Sequence, residues 1–591
     1  MKYLLLLSLL SVAAYLAFNR VSDWVDTKKV HDLLSKSSGR ILLGLSTALV
    51  IVLMLCFAFM QDDAYISFRY SKNLALGNGL SWNIGDKPPV QGYTNFLWVI
   101  IMSAPLALGL NIELTITALG ILAALLTICF TYLLSLNIFG DRAKAALPVF
   151  MLSTNYSFLA YATGGLETQL ATLCGVLAWY LASLPMIGGT CTSSFTEGGR
   201  NLKKTQNLLL LISIVVAIAY LIRMDTLLVT GPCIIFIAVK ILRNDCSSRA
   251  KLRYFLSLTL PLAILVTCYS AFSLHKYGSL LPNTFYVKAH SFPAQNILNG
   301  AVYIIQFLVF YGWPVILALI FWRRVRTWPW KISADIWLFM LSTICLTIAY
   351  SLRVGGDFME FRFLIPIMPA LFIILGKEIL RLGPKLIFVA LISLPLFSAA
   401  NAFSLVPRVN GVESFRQLHG HLYNRNENWI GVGKRLKPIF PTTNEELIIG
   451  VTPAGAIPYY SDLRSVDLLG LNDRFIAKNG VIIGSRPGHS KGPTLHYLYQ
   501  SKINLLIGHP QVRHRDQPFL LGAFMRSFCW FMSEKDCRNL EKSSPKVLTM
   551  TIDENYLLDM IYLSPSKYVD EALNRQDLTV AYGGGNKSHA H

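Results

Sequence analysis

Long apolar blocks separated by short polar turns dominate the first 403 residues. They lie at about 41–60, 114–138, 147–162, 169–187, 207–222, 226–242, 254–273, 300–322, 333–351, 362–376 and 385–403, and most approach the roughly 20 residues that a helix needs to cross hydrocarbon. The pattern predicts eleven spans and an all-α polytopic membrane domain over residues 41–403. Residues 1–40 form an apolar segment and a basic linker. Met1 to Phe18 is followed by Arg20, Lys28 and Lys29 without a small-residue cleavage site, so it reads as a spanning segment, an interfacial one or a dispensable extension rather than a cleaved signal.

One block decides the sidedness of the rest. Phe96 to Leu110 is apolar but short, and apolar runs of roughly 10–14 residues are more often re-entrant or interfacial than spanning. If it spans, the basic loop Gly140–Lys144 faces outward. If it is re-entrant, that loop and the clusters Arg200/Lys203/Lys204, Arg243/Arg249/Lys251/Arg253, Arg323/Arg324/Arg326/Lys331 and Lys377/Arg381/Lys385 all face inward, as basic loops do. The re-entrant or in-plane reading satisfies every loop. It leaves 61–112, 163–168, 223–225, 274–299, 352–361 and the tail on the outer face.

The tail from 404 to 591 changes character. Short β-like runs at Leu447–Val451, Ile503–Ile507 and Val547–Met550 alternate with turn and helix signals, which predicts a soluble C-terminal α/β domain.

Composition agrees with lipid as the main solvent: 53% of the 591 residues are hydrophobic and 15% charged, against about 25% charged in soluble proteins. The net charge of +20 sits in the short inter-block clusters, which excludes nucleic acid as the partner. Eight of the ten cysteines lie in or beside apolar blocks. Cys529 and Cys537 alone fall in the outer tail, and the topology predicts a disulfide between them in an oxidising compartment. No Walker loop, HExxH, GxSxG or Rossmann glycine pattern is present, which argues against a nucleotide-driven pump.

Four outer segments concentrate polar residues. Gln61-Asp62-Asp63-Ala64-Tyr65-Ile66-Ser67-Phe68-Arg69-Tyr70 sets two adjacent carboxylates where the first span ends, before an expected helix of about 64–76. Mutual repulsion and a low-dielectric boundary raise the proton affinity of at least one, as a general base requires. Asp63 also reads as the N-cap of that helix. Gly164-Gly165-Leu166-Glu167-Thr168 adds a third carboxylate, which serves equally well at the positive end of the helix beginning there. The stretch from His275 to Lys288, with Asn283, offers cations and amides for a phosphate ester. Arg353-Val354-Gly355-Gly356-Asp357-Phe358-Met359-Glu360-Phe361-Arg362 packs acids and cations between two spans, either as an internal ion-pair set or as a site.

Together DDAYISFRYSKNLALGNGLSWN, PPVQGYTNFLW, GGLET, YGSLLPNTFYVK, GGDFMEFRFLIP and AGAIPYYSDLRSVDLLGLND resemble the GT-C superfamily of polyprenyl-phosphate-sugar-dependent glycosyltransferases. They are most similar to its terminal arabinofuranosyltransferase (AftB-like) branch, over about residues 61–480. The resemblance implies a GT-C membrane domain with a catalytic acid in the first outer loop, supplied here by Asp62 or Asp63. Substrate-binding residues are then expected at Tyr65, Arg69, Glu167, Asn283, Lys288, Asp357 and Arg362. It implies transfer of a sugar, arabinofuranose in that branch, from a polyprenyl-phosphate donor to a cell-envelope glycan or lipopolysaccharide acceptor. The setting would be the periplasmic face of a bacterial inner membrane. A divalent cation is compatible with this chemistry and not required by it.

Two other classes share the spans. A transporter or flippase would show inverted repeats and broken helices near the midplane; no repeat is evident, and the charges cluster at one face. A non-enzymatic envelope-assembly protein would tolerate loss of both carboxylates.

Overall fold

A computed structural model describes residues 37–184, 198–243, 247–288, 293–311, 334–381, 384–404, 408–440, 447–486 and 488–583. Met1 to Phe18, with its candidate span, lies outside the described residues, as does the side chain of Lys288.

Six described helices are long and apolar enough to cross a membrane: Ile112–Phe139, Lys203–Ile222, Met224–Arg243, Ser248–Tyr277, Ile336–Val354 and Arg362–Leu380. Shorter apolar helices accompany them at Leu45–Cys56, Phe96–Ala107, Thr168–Ala182, Ala294–Phe310 and Leu391–Ala402. The eleven apolar blocks are therefore only in part full-length helices. The block at 147–162 is the plainest departure: it splits into Arg142–Ser153 and Tyr156–Ala160. Asn155 interrupts it by accepting the Phe158 N–H at 3.0 Å, which starts a new helix instead of continuing the old one.

The longest helices are delimited by ordinary cap chemistry. Asn111 accepts from Leu114 N–H ahead of Ile112–Phe139, and Ser247 from Ala250 N–H ahead of Ser248–Tyr277. Both helices stop at left-handed glycines, Gly140 and Gly278, which pay no Cβ penalty there. Ile112–Phe139 begins beside the C-terminal domain, where Glu113 accepts from Tyr460 Oη at 2.8 Å, and ends at the basic turn before Lys144. Leu227–Arg243 likewise starts near the C-terminal domain's side and ends in basic residues.

Phe96–Ala107 has 12 residues, about 18 Å at 1.5 Å per residue and well short of a hydrocarbon core of about 30 Å. It is packed into the helical domain: Val99 and Met102 are fully buried, and the Trp98 indole donates to the Gly165 carbonyl at 3.3 Å.

The C-terminal domain is built on a six-stranded mixed sheet. Its strands are β1 (Ile448–Val451), β2 (Arg464–Asp467), β5 (Leu505–His514), β6 (Lys546–Thr551), β7 (Tyr556–Tyr562) and β8 (Leu578–Tyr582), in the order β2-β1-β5-β7-β6-β8. The β1 strand pairs in parallel with β2 and β5; the β5–β7, β7–β6 and β6–β8 pairs are antiparallel. A two-stranded ribbon, β3 (Val481–Ile482) with β4 (Lys491–Gly492), stands apart from it. Cys529 and Cys537 form a disulfide in this domain.

Polar ties lock the domain onto the first outer loop. Asn83 and Ser465 exchange two hydrogen bonds at 2.9 and 3.1 Å, and Arg464 pairs with Asp86 at 2.6 Å. At the other edge Glu360, fully buried, meets Arg408 at 2.6 Å.

Candidate active site

A cavity of about 720 Å³ opens where the helical domain meets the C-terminal domain. All four outer segments singled out in the sequence reach it. The helical side contributes Gln61, Asp62, Asp63, Glu167, Arg223, Asp225, Arg353, Asp357 and Arg362; Leu281, Pro282, Thr284 and Phe285 add an apolar edge.

The two adjacent aspartates are placed differently. The helix Asp62–Ala75 takes Gln61 as its N-cap, without a side-chain cap hydrogen bond, so Asp63 is not the cap. Asp62 turns toward the C-terminal domain and accepts Gly455 N–H at 2.9 Å and Ala456 N–H at 2.7 Å. Burial pushes its carboxyl up to about 7 against the opposing pull of those two N–H bonds, and the charge of Asp63 adds to the rise. Asp63 keeps 29% of its side chain exposed and lies 3.9 Å from the Arg362 guanidinium.

The chain around Arg362 is held in an uncommon shape. Gly355 and Gly356 take φ of 88° and 76°, and Phe361 takes φ of 51°, a conformation costly for a bulky side chain. Full burial of Phe361 against Tyr303, Phe307, Phe310 and Tyr311 holds it there. The turn sends neighbours to different places. Glu360 points to Arg408, Asn401 and Ser157, while Arg362 points to the cavity and meets Asp357 at 2.6 Å.

Four arginines line the cavity, and three are engaged by carboxylates. Arg223 pairs with Glu167 at 2.7 Å and Asp225 at 2.5 Å; Arg362 pairs with Asp357 and Asp63; Arg486 pairs with Glu413 at 2.6 Å. Arg353, exposed at the end of its helix, has no ion pair among the described residues. Glu167 does not cap its helix through its side chain. Instead it accepts from Asn95 at 2.7 Å and from Arg223.

The opposite wall comes from the C-terminal domain and was not anticipated from the sequence. It carries Glu413, His421, Trp429, Arg486, His489, His509 and Trp530. Burial lowers the His421 imidazole's proton affinity, but hydrogen bonds and charge from Glu413 and Glu427 more than reverse this and bring it to about 9, so it is cationic at neutral pH. Burial raises Glu413, yet His421 and Arg486 hold it at about 2. No spacing motif links these residues; Gly455 and Ala456, by contrast, lie in the AGAIPYY segment that the sequence did mark.

Three residues expected to touch substrate are not on the cavity wall. Tyr65 is fully buried and hydrogen-bonds Glu113 among the rings of Tyr459 and Tyr460. Arg69 is buried and donates to the carbonyls of Trp82 and Leu463 and to Asn83, joining the first loop to the C-terminal domain. Asn283 donates to the carbonyls of Gly470, Leu471 and Asp473. The Tyr65 hydroxyl is thus spent on a carboxylate side chain, Arg69 on two carbonyls and a side-chain amide oxygen, and the Asn283 amide on three carbonyls, so all three tie segments together.

Among the described residues no three His, Cys, Asp or Glu side chains converge on a point suited to a cation. The cavity's carboxylates are engaged by arginines, an imidazole or backbone N–H groups.

A family model described as "Domain of unknown function (DUF8728)" matches residues 424–553. No curated protein sequence matches the chain. Among solved structures, ArnT from Cupriavidus metallidurans bound to undecaprenyl phosphate is similar with a TM-score of 0.53 at 12% identity, covering 90% of this chain and 100% of that one. Its apo state gives the same values. AglB, the oligosaccharyltransferase of Archaeoglobus fulgidus, in complex with an inhibitory peptide and a dolichol-phosphate, gives a TM-score of 0.46 at 11% identity, covering 87% and 74%. At such identity the likeness to ArnT is one of fold alone.

Proposed function

We propose that the chain is a membrane glycosyltransferase that moves a sugar from a polyprenyl-phosphate carrier to a glycan acceptor. The observation that carries this reading is a partly exposed carboxylate, Asp63, set among arginines in a cavity between apolar helices and a soluble domain. The GT-C fold it shares with ArnT, which was solved with undecaprenyl phosphate, supports the donor class.

The chemistry follows from the parts. The acceptor hydroxyl forms a bond to the anomeric carbon as the bond from that carbon to the phosphate oxygen breaks, and the polyprenyl phosphate leaves with the electron pair. Asp63 takes the hydroxyl proton; a positioned base of this kind contributes about 10²–10⁴-fold. Asp62 is the positioning partner, since both its oxygens are occupied by backbone N–H groups. Arg353, with no carboxylate partner among the described residues, is the cation best placed to receive the leaving phosphate, and Arg362 supports it. Glu167 and Asp357 orient Arg223 and Arg362.

The finer reading, arabinofuranosyl transfer to an envelope glycan at the periplasmic face of a bacterial inner membrane, rests on the ordered sequence motifs. The basic turns at helix ends remote from the C-terminal domain agree with that orientation.

The test uses full-length protein in nanodiscs, a panel of synthetic polyprenyl-phosphate sugars including arabinofuranose, and release of polyprenyl phosphate as the signal. Asp63→Asn should fold normally and lose about 10²–10⁴-fold in rate, and Arg353→Ala should raise the donor KM. Wild-type turnover by Asp63→Asn would refute the assignment, and donor-independent behaviour of the wild type would refute the activity.

A further inference from the structure

Six aromatic rings follow one another along the cavity, Phe358 from the helical domain and five from the C-terminal wall. Phe358 meets His489 at 4.9 Å, His489 meets Trp530 at 6.1 Å, Trp530 meets His509 at 5.7 Å, His509 meets Trp429 at 5.6 Å, and Trp429 stacks on His421 at 4.8 Å and 6°. All six line the cavity. None of them is used by the transfer chemistry.

A second observation is independent of the rings. Trp429 is 7% exposed, and its indole N–H has no acceptor among the described residues; the Arg486 Nε–H, also buried, has none either. Buried donors of this kind call for an oxygen partner. The charges beside them are internally balanced: Arg486 faces Glu413, and His421 lies between Glu413 and Glu427. An acyl chain would leave the N–H groups unpaired, and a charged ligand would meet groups already neutralised.

From these we infer that the ribbon from Phe358 to His421 is a binding subsite for an extended uncharged saccharide, the acceptor end of the transfer site. This deepens the glycosyltransferase reading and rests on it. The C–H faces of sugar rings pack on aromatic faces while their hydroxyl oxygens accept from Trp429 and Arg486. The ribbon is longer than one ring, so it suits an oligosaccharide better than a single sugar.

Trp530 is its most exposed member, at 38%, and the fold fixes its turn from both sides. Its neighbour Cys529 is disulfide-bonded to Cys537 on the helix Glu534–Lys542. Strand β4 approaches so closely that a Cβ on Gly492 would sit 1.9 Å from the Phe531 carbonyl oxygen. The disulfide thus holds a stacking platform in place.

Saturation-transfer NMR on the full-length protein, with uncharged arabinofuranosyl, mannosyl and galactosyl hexasaccharides and an oligogalacturonate as probes, tests this without any lipid donor. Magnetisation should reach ring protons of at least one uncharged probe. Trp530→Ala should weaken that binding by about tenfold, the loss of one stacking contact. Gly484→Ala, at a position where a Cβ meets nothing within 4 Å, should leave it unchanged. No transfer to any uncharged probe, a preference for the oligogalacturonate, or undiminished binding by Trp530→Ala would overturn the subsite. A protein that binds a hexasaccharide through Trp530 but moves no sugar from any lipid donor would instead refute the transferase reading alone.

Discussion

Replacing Gly455 by Ala tests the joint on which the candidate site depends. A Cβ at this position would lie 1.9 Å from the Asp62 carbonyl oxygen, 2.7 Å from its carbonyl carbon and 2.8 Å from its Cγ. The obstruction is the backbone at the start of a helix whose next residues, Ala64 and Tyr65, are fully buried, so it has no room to retreat. The C-terminal domain must therefore move off Asp62 and give up two hydrogen bonds to a carboxylate, worth about 1.5–3 kcal/mol each. At 1.4 kcal/mol per decade, a loss near 3 kcal/mol makes local opening roughly a hundredfold more frequent. Hydrogen–deuterium exchange read on peptides covering Ala456–Ser461 should show that acceleration, and the transfer rate should fall with it, because Asp63 follows Asp62 in the chain. Gly484→Ala, at a position with nothing within 4 Å, is the control and should leave both unchanged. Wild-type protection in Gly455→Ala would mean that the Asp62 contact is not what seats the domain.

The raised Asp62 carboxyl, at about 7 in the folded chain against 3.8 ordinarily, makes the native state the one that binds the extra proton. Its stabilising contribution is therefore greatest at low pH and is lost between about pH 4 and 7, by up to about 4 kcal/mol. Protection of Ala456–Ser461, taken relative to the intrinsic exchange rate at each pH, should be weaker at pH 8 than at pH 5, and Asp62→Asn should abolish that difference; an unchanged slope in the variant would assign it to another group. Arg408→Ala strands Glu360 as a buried carboxylate and should cost about 3–5 kcal/mol, seen as a lower unfolding midpoint in detergent, with much of the loss recovered when Glu360→Gln is added. A single variant as stable as wild type would show that water reaches Glu360.

Helical content was legible because apolar runs of span length have few alternatives, and the strands β1, β5 and β6 were visible as short apolar runs in a polar tail. The limits are physical. Asn155 breaks an apolar run by hydrogen bonding, which hydropathy does not register. Strand order was hidden because β1 pairs with β5 across 56 positions, Ile449 with Leu505. The Asp62-Asp63 pair was visible as a pair, yet its division of labour depends on Gly455, on the far side of the chain. Tyr65, Arg69 and Asn283 share motifs with cavity residues, and composition does not separate a strut from a ligand contact when both require polar atoms. The ribbon left no trace because His421, His489 and His509 come from three unrelated segments.

The Asp62 contact bridges 393 positions in sequence, so the unit of function is not the unit of folding. A boundary drawn near residue 404 separates two regions of different composition, but it cuts the site in half. A chimera that exchanged only the tail would inherit Gly455 and the ribbon from one parent and the aspartates from the other. Such a graft succeeds only where both parents keep the same interlock, and divergence in one half has to be answered in the other.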